Sequence, residues 1–457
     1  MKTILIILTA AILLPLSALA QKEDRVWVFA ESKIDFNTNP PTVTQCGTSY
    51  STADNITSVA DRNGNLVYWL NATSLYNSQD EVIFTMPEAN EYDLYYYGLS
   101  IVPFPGKENV YMFVYPVRDR YKITISLVDG SQDLLHPTIT ERYAEYPFYP
   151  DGPDGVLFFV QKFGSRDYWM LHIHSGVIRV FEITKDGITD TDRDYVLPTQ
   201  NDKIINVFGC EMTPDRSKIL TNGDLSDPMY FIDIDNKTGK IKNINIISSY
   251  FWLQSFAFAP DNKYLYFYTW SAKKSGLYRI PIETLSTITD NDKLEEKGEF
   301  ISDVDFEMGD MKYLTDRELY FVNEDDGGWL GKVEYTASEH PVITPKAIKL
   351  AKNIKDHDVI NWLSLPKTYC YPFGFTYDIA CGGEVQFGYN QDNDYESLVW
   401  DFGDGQTDNN PQPLHTYKSN GSYTVSLTVH YPNQTEEVIK KDIQVNTIIK
   451  KPTIIFE

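Results

Sequence analysis

The stretch Phe256-Ala257-Phe258-Ala259-Pro260-Asp261-Asn262-Lys263-Tyr264-Leu265-Tyr266-Phe267 reads as strand, tight turn, strand. Apolar Phe256 and Phe258 alternate into Pro260-Asp261-Asn262, and Tyr264, Tyr266 and Tyr268 resume the alternation. Proline presets φ ahead of the turn, while Asp and Asn bond their own backbone within it. An approximate copy stands 46 residues earlier, Glu211-Met212-Thr213-Pro214-Asp215-Arg216-Ser217-Lys218-Ile219-Leu220, aligning Asp215 with Asp261. One hairpin cannot bury its own apolar face, so recurrence at this period predicts stacked or radially arranged sheets. The expectation is a β-propeller.

Working outward, the same unit recurs more loosely. Asp61-Arg62-Asn63-Gly64-Asn65 precedes Leu66 to Leu70, Pro105-Gly106-Lys107 precedes Val110 to Tyr115, Asp151 to Gly155 precedes Val156 to Val160, and Thr315-Asp316-Arg317 precedes Leu319 to Val322. The anchors at 61, 107, 154, 215, 261 and 316 are separated by 46, 47, 61, 46 and 55 residues. Four strands with their loops take roughly 40 to 50 residues per blade, so the two long spacings require insertions. A seventh blade would combine a strand at Trp27 to Ala30, followed by a Pro-containing connection, with Asp358 to Leu365 from the far end of the repeats. The count expected is seven, with six and eight as neighbours and a series of β-sandwiches as the alternative architecture. Tyr95-Tyr96-Tyr97 sends alternate rings to opposite faces and is a weak ligand signal.

Residues 1–20 read as a secretory leader: a basic start at Lys2, an apolar run from Ile4 to Leu14, and small residues up to Ala20. Without the leader the formal net charge moves from −24 to −25, which opposes binding to nucleic acid and to anionic membranes. No membrane span is expected after cleavage, so the destination is extracellular, cell-surface or periplasmic. Export permits disulfides. Of Cys46, Cys210, Cys370 and Cys381, the last two are the better pair, since a short loop containing Gly and Pro separates them.

The boundary near 366 leads to a more specific signature in the region expected at 367–448, ahead of a tail at 449–457. Leu398-Val399-Trp400 runs into Asp401-Phe402-Gly403-Asp404-Gly405, and His415, Tyr417, Gly421 and Tyr423 follow with alternating Val425, Leu427 and Val429. Trp400 should fill a small sandwich, the glycines permit backbone excursions, and the aspartates satisfy turn amides. This stretch closely resembles the polycystic kidney disease (PKD) domain, an immunoglobulin-like β-sandwich. The region 21–366 also resembles the propeller-like parts of large Bacteroidota surface proteins carrying PKD domains, on Val59 to Leu70, the two Pro-Asp turns and Asn361-Trp362-Leu363-Ser364-Leu365-Pro366. Related long proteins often end in a type IX secretion sorting domain, for which the residues after 448 leave no room. That resemblance implies export and an envelope or gliding setting.

Chemistry is thin. His172 and His174 share a strand face, with Asp167 as a third donor candidate, but the same pattern suits blade packing. Asp190, Asp192 and Asp194 open like a calcium loop, yet Tyr195 and Asn201 stand where glycine and glutamate belong, so a solvated acidic insertion reads better. No nucleophile elbow, zinc helix or phosphate loop occurs, and choosing a glycosidase pair among 64 carboxylates would be arbitrary. No catalytic, cofactor or metal residue is assigned. The leading expectation is a non-catalytic exported recognition or structural protein whose propeller binds an envelope or extracellular protein. Carbohydrate binding or processing, and an accessory role in a secretion or gliding complex, are the alternatives.

Overall fold

The computed structural model describes residues 25–447 except 30, 47–55, 62–63, 72, 87–99, 118–121, 148–154, 175, 199–206, 214, 224–227, 249–254, 260–261, 270–273, 304–305, 307, 315–317, 324, 335–340, 352–374, 390–394 and 431–435. Among the described residues the fold is all-β, with two short α-helices. Seven antiparallel sheets follow one another along residues 26–349. Sheet 1 has three strands, Val26–Phe29, Ser32–Asp35 and Thr42–Gln45. Sheets 2 to 7 have four strands each, over 57–85, 100–147, 155–196, 207–247, 255–302 and 308–349, paired in chain order.

Burial grades across each sheet and explains the patterning. First strands are buried on both faces, as in Thr57–Ala60 and Ser255–Phe258, whereas fourth strands such as Val82–Thr85 are mostly half-buried or exposed. The organising stretch shows what the two buried faces do. Phe256 and Phe258 pack with Leu220 and Phe231 of sheet 5, while Ala257, Tyr266 and Tyr268 pack with Met308, Leu319 and Phe321 of sheet 7. Period two therefore sends alternate residues to different neighbouring sheets.

The same sharing runs through the whole series. Val28 and Cys46 of sheet 1 meet Trp69 and Tyr76 of sheet 2, and Tyr68 and Leu70 meet Tyr111 and Phe113 of sheet 3. A larger cluster joins sheets 3, 4 and 5. Finally, Trp27, Phe29 and Phe36 of sheet 1 pack against Tyr320 and Val322 of sheet 7. The Trp27 and Tyr320 rings lie edge to face at 5.9 Å, and the Ala351 amide donates to Ser32 Oγ at 2.9 Å. The last sheet thus packs on the first.

Two expectations are revised and one is met. The connection after Ala30 contains two strands of its own, and the three described strands of sheet 1 all come from the N-terminal stretch; Asp358 to Leu365, expected to join them, lies outside the described residues. Asp154 lies outside the described residues and is followed directly by the first strand of sheet 4, Gly155–Gln161, so the segment matching the Pro-Asp turns is 162–167. The insertion expected in the spacing from 261 to 316 is found in sheet 6: helices Ile282–Leu285 and Asn291–Lys297 stand between its third and fourth strands, the second capped by Asp290 Oδ1, which accepts from Lys293 N at 2.8 Å.

Two further sheets make a C-terminal sandwich. Phe375–Ile379, Glu384–Tyr389 and Leu414–Thr416 form one, and Thr407–Asp408, Ser397–Asp401, Gly421–His430 and Glu436–Val445 the other. Between them Trp400 is 0% exposed, with Phe375 at 4.9 Å, Phe387 at 5.4 Å, and Val425, Leu427 and Ile443 around it.

Candidate functional site

A densely hydrogen-bonded polar cluster forms the turn that follows Trp400. The strand ending at Asp401 must reverse within a few residues, and Gly403 and Gly405 supply φ of +75° and +87°. Asp401 Oδ1 accepts the Gly403 amide at 2.9 Å, and Asp404 Oδ1 accepts the Gln406 amide at 3.1 Å. The other Asp404 oxygen faces His415 Nε2 at 2.9 Å. His415 stacks on Phe402 at 4.0 Å, and the Tyr417 hydroxyl donates to the Phe402 carbonyl at 2.9 Å. Tyr423 packs on Tyr417 at 4.1 Å and donates to Ser419 O at 2.9 Å; Gly421 opens that strand. Trp400 Nε1 donates to Asn410 O at 2.8 Å.

The electrostatics follow from these contacts. Burial alone would raise the Asp404 carboxyl, but hydrogen bonds from His415 and the Gln406 amide hold it below the ordinary aspartate range. Burial raises the Tyr417 phenol, so it remains a neutral donor. These bonds engage the carboxylates in fixing the turn. Among the described residues, no group of three or more His, Cys, Asp or Glu is placed to hold a metal ion.

The other sequence candidates separate. Asp167 lies in the turn before Tyr168–His174, so the strand's rise puts it about 23 Å from the His174 backbone and about 17 Å from that of His172. His172 is 4% exposed within sheet 4. The acidic run is held by an arginine: a bulge in Gly187–Val196 turns Asp190 and Asp194 toward Arg179, at 2.5 Å and 3.3 Å. Asp192 has φ +54° and its side chain is 92% exposed. Cys46 and Cys210 are buried in separate clusters, and burial pushes the Cys46 thiol up to about 12. Cys370 and Tyr95 to Tyr97 lie outside the described residues, so the expected Cys370–Cys381 bridge does too.

What sequence reading missed is lateral bonding between the repeated turns. Asn262 Nδ2 donates to Asp215 Oδ2 at 2.9 Å, joining the two Pro-Asp turns directly. Arg216, 2% exposed, donates in turn to Gln161 Oε1 of sheet 4. Arg216 and Asn262 occupy the same left-handed position, φ +60° and +58°. The available signal was the shared Pro-Asp-x register.

Comparison with known proteins places the sandwich. Residues 375–446 match the PKD domain family. This segment is a PKD domain. The PKD1 domain from the Vibrio cholerae metalloprotease PrtV is 31% identical, with 16% of this chain and 94% of that one covered and a TM-score of 0.15. The PKD1 domain of Vibrio anguillarum Epp is 29% identical, covering 16% and 92%, with a TM-score of 0.16. The Cps50 (Swd1) beta-propeller domain of Myceliophteria thermophila aligns at 11% identity over 66% of this chain and 93% of that one, with a TM-score of 0.37. No curated protein sequence matches the chain. Among the described residues, no helix is long and apolar enough to cross a membrane.

Proposed function

We propose that this is a non-catalytic, exported recognition protein in which the seven sheets are the blades of a β-propeller. The ring presents a protein-binding surface, and the PKD domain serves as spacer or interaction module. The observation that carries the reading is the conjunction of a PKD domain with seven sheets that share their cores in cyclic order. PKD domains are generally non-catalytic interaction modules, which supports an accessory or structural role. A leader at 1–20 supports export to the cell surface, periplasm or medium. Rigid meanders holding many connections at one end suit recognition by several weak loop contacts.

The test is affinity capture from a native envelope fraction with glycans retained, using the full mature chain as bait. A recurrent protein partner, lost when the ring's loops are substituted, supports the reading. Recovery of polysaccharide alone overturns it in favour of carbohydrate binding. Recovery of secretion or gliding components would make the partner an envelope machine.

A further inference from the structure

We propose that the PKD domain is seated on the ring as a fixed part, through a contact made by the Phe375–Ile379 strand and its neighbour against sheets 4 and 5. The proposal does not depend on what the ring recognises.

The contact has a tightly packed centre. The Gly164 amide, in the turn 162–167 of sheet 4, donates to Thr376 Oγ1 at 2.7 Å. That hydroxyl donates onward to the Gly388 carbonyl at 3.2 Å, so one side chain ties the ring's turn to two strands of the PKD domain. Thr376 and Gly388 are both buried. Gly388 has no room for a side chain: a Cβ there would stand 2.8 Å from Phe163 Cε1 and 3.1 Å from Gly164 Cα. Gly164 has φ +64°, and a Cβ on it would meet Gln412 Nε2 at 3.4 Å. Two glycines facing one another let two backbones approach as closely as side-chain-free surfaces allow.

A charged rim surrounds this centre. Lys237, from the 235–239 turn of sheet 5, pairs with Asp378 at 2.9 Å and lies over the Phe163 ring at 4.5 Å. Both charged side chains are about half-exposed, so the pair sets register more than affinity. The seat is itself braced. The Asn236 carbonyl accepts from Phe163 N at 3.3 Å and Trp169 Nε1 at 3.0 Å, and Gln161 Nε2 donates to Ser165 O at 2.8 Å. Through Arg216 and Asp215 the brace reaches Asn262 of sheet 6.

The seat also has a side. In an antiparallel meander the turns after the first and third strands emerge at one end, and the connections to the next sheet emerge at the other. The 162–167 turn follows a first strand and the 235–239 turn a third, and Arg216 brings the corresponding ends of sheets 4 and 5 together. The PKD domain therefore occupies one end of the ring and leaves the other to partners. None of Thr376, Asp378, Gly388 and Gln412 is among the motif residues Trp400 to Gly405, His415, Tyr417, Gly421 and Tyr423, so fold maintenance and seating use different residues.

The test uses the full chain, with hydrogen exchange of the Gly164 amide and small-angle X-ray scattering. The wild type should show a protected Gly164 amide and a scattering profile fitted by one compact arrangement. Gly388→Leu should lose that protection and increase the maximum dimension, while the PKD melting transition persists. Where Gly388→Leu loses that transition, Thr376→Val decides: it removes the acceptor at constant volume and should raise Gly164 exchange about tenfold. Lys237→Asp should loosen the arrangement, and adding Asp378→Lys should restore it. A wild-type Gly164 amide exchanging at the unprotected rate, or an extended multi-state wild-type profile, overturns the proposal. So does unchanged exchange in both Gly388→Leu and Thr376→Val.

Discussion

The PKD domain and the seven-sheet region both bury large aromatic residues and use them differently. In the PKD domain the large rings converge on one core around Trp400, so each belongs to a single two-layer unit. In the ring the cores lie between sheets, and alternate residues of one strand serve opposite neighbours. Damage in the first arrangement should stay local, whereas damage in the second should spread to neighbours.

The sharpest way to break this contrast is a pair of tryptophan truncations. Trp400→Ala and Trp27→Ala should each cost about 3 to 5 kcal/mol, both side chains being fully buried. Calorimetry of the full chain should show Trp400→Ala lowering only the PKD transition. Trp27→Ala should lower a single transition comprising all seven sheets, because its cavity lies where sheet 1 meets sheet 7. A separate early melting of sheet 1 would refute shared cores.

A smaller effect tests the turn. At Gly403 a Cβ would approach the Thr424 carbonyl oxygen to 2.5 Å, whereas at Gly405 nothing lies within 4 Å. Gly403→Ala should cost more than the roughly 1 to 3 kcal/mol of backbone strain that both share, and Gly405→Ala that strain alone. Equal losses by chemical denaturation would deny the packing difference. In the ring, Asp215→Ala removes acceptors for Thr213, Ser217 and Asn262, and should cost about 1 to 2 kcal/mol of ring stability. Asn262→Ala alone should recover only part of that.

The smallest effect is one of pH. The Asp404 carboxyl is held below its unfolded value, so its contribution is present above about pH 4 and is lost as pH falls through the depressed folded value. Melting of the PKD domain between pH 5 and 2 should show this loss, and Asp404→Asn should flatten the profile.

The contrast also explains what could be read in advance. The PKD motif packs its information into one turn, where glycine, aspartate and tryptophan each have a stated local duty, so Trp400 and Gly403 were legible from residue type. The ring's repeat was legible through Pro-Asp turns and period-two aromatics. Sheet 1 was missed at Ser32–Asp35 and Thr42–Gln45 because four-residue strands of mixed polarity carry almost no periodicity. The Asp154 anchor misled because a glycine-rich turn marks either end of a strand equally well. The PKD seat was illegible: Gly164 and Gly388 act as a pair across 224 residues of sequence, and no local pattern announces a partner so distant.

The packing of sheet 1 on sheet 7 has a consequence for the chain as it is made. Ser32 and Ala351 meet across 319 residues. At about 5 to 20 residues per second, translation separates them by roughly 15 to 60 seconds. During that interval Trp27, Phe29 and Phe36 have emerged but their partners Tyr320 and Val322 have not. The apolar face that the first sheet turns toward the seventh therefore stays uncovered for most of synthesis, which is the interval in which the nascent chain is most exposed to aggregation.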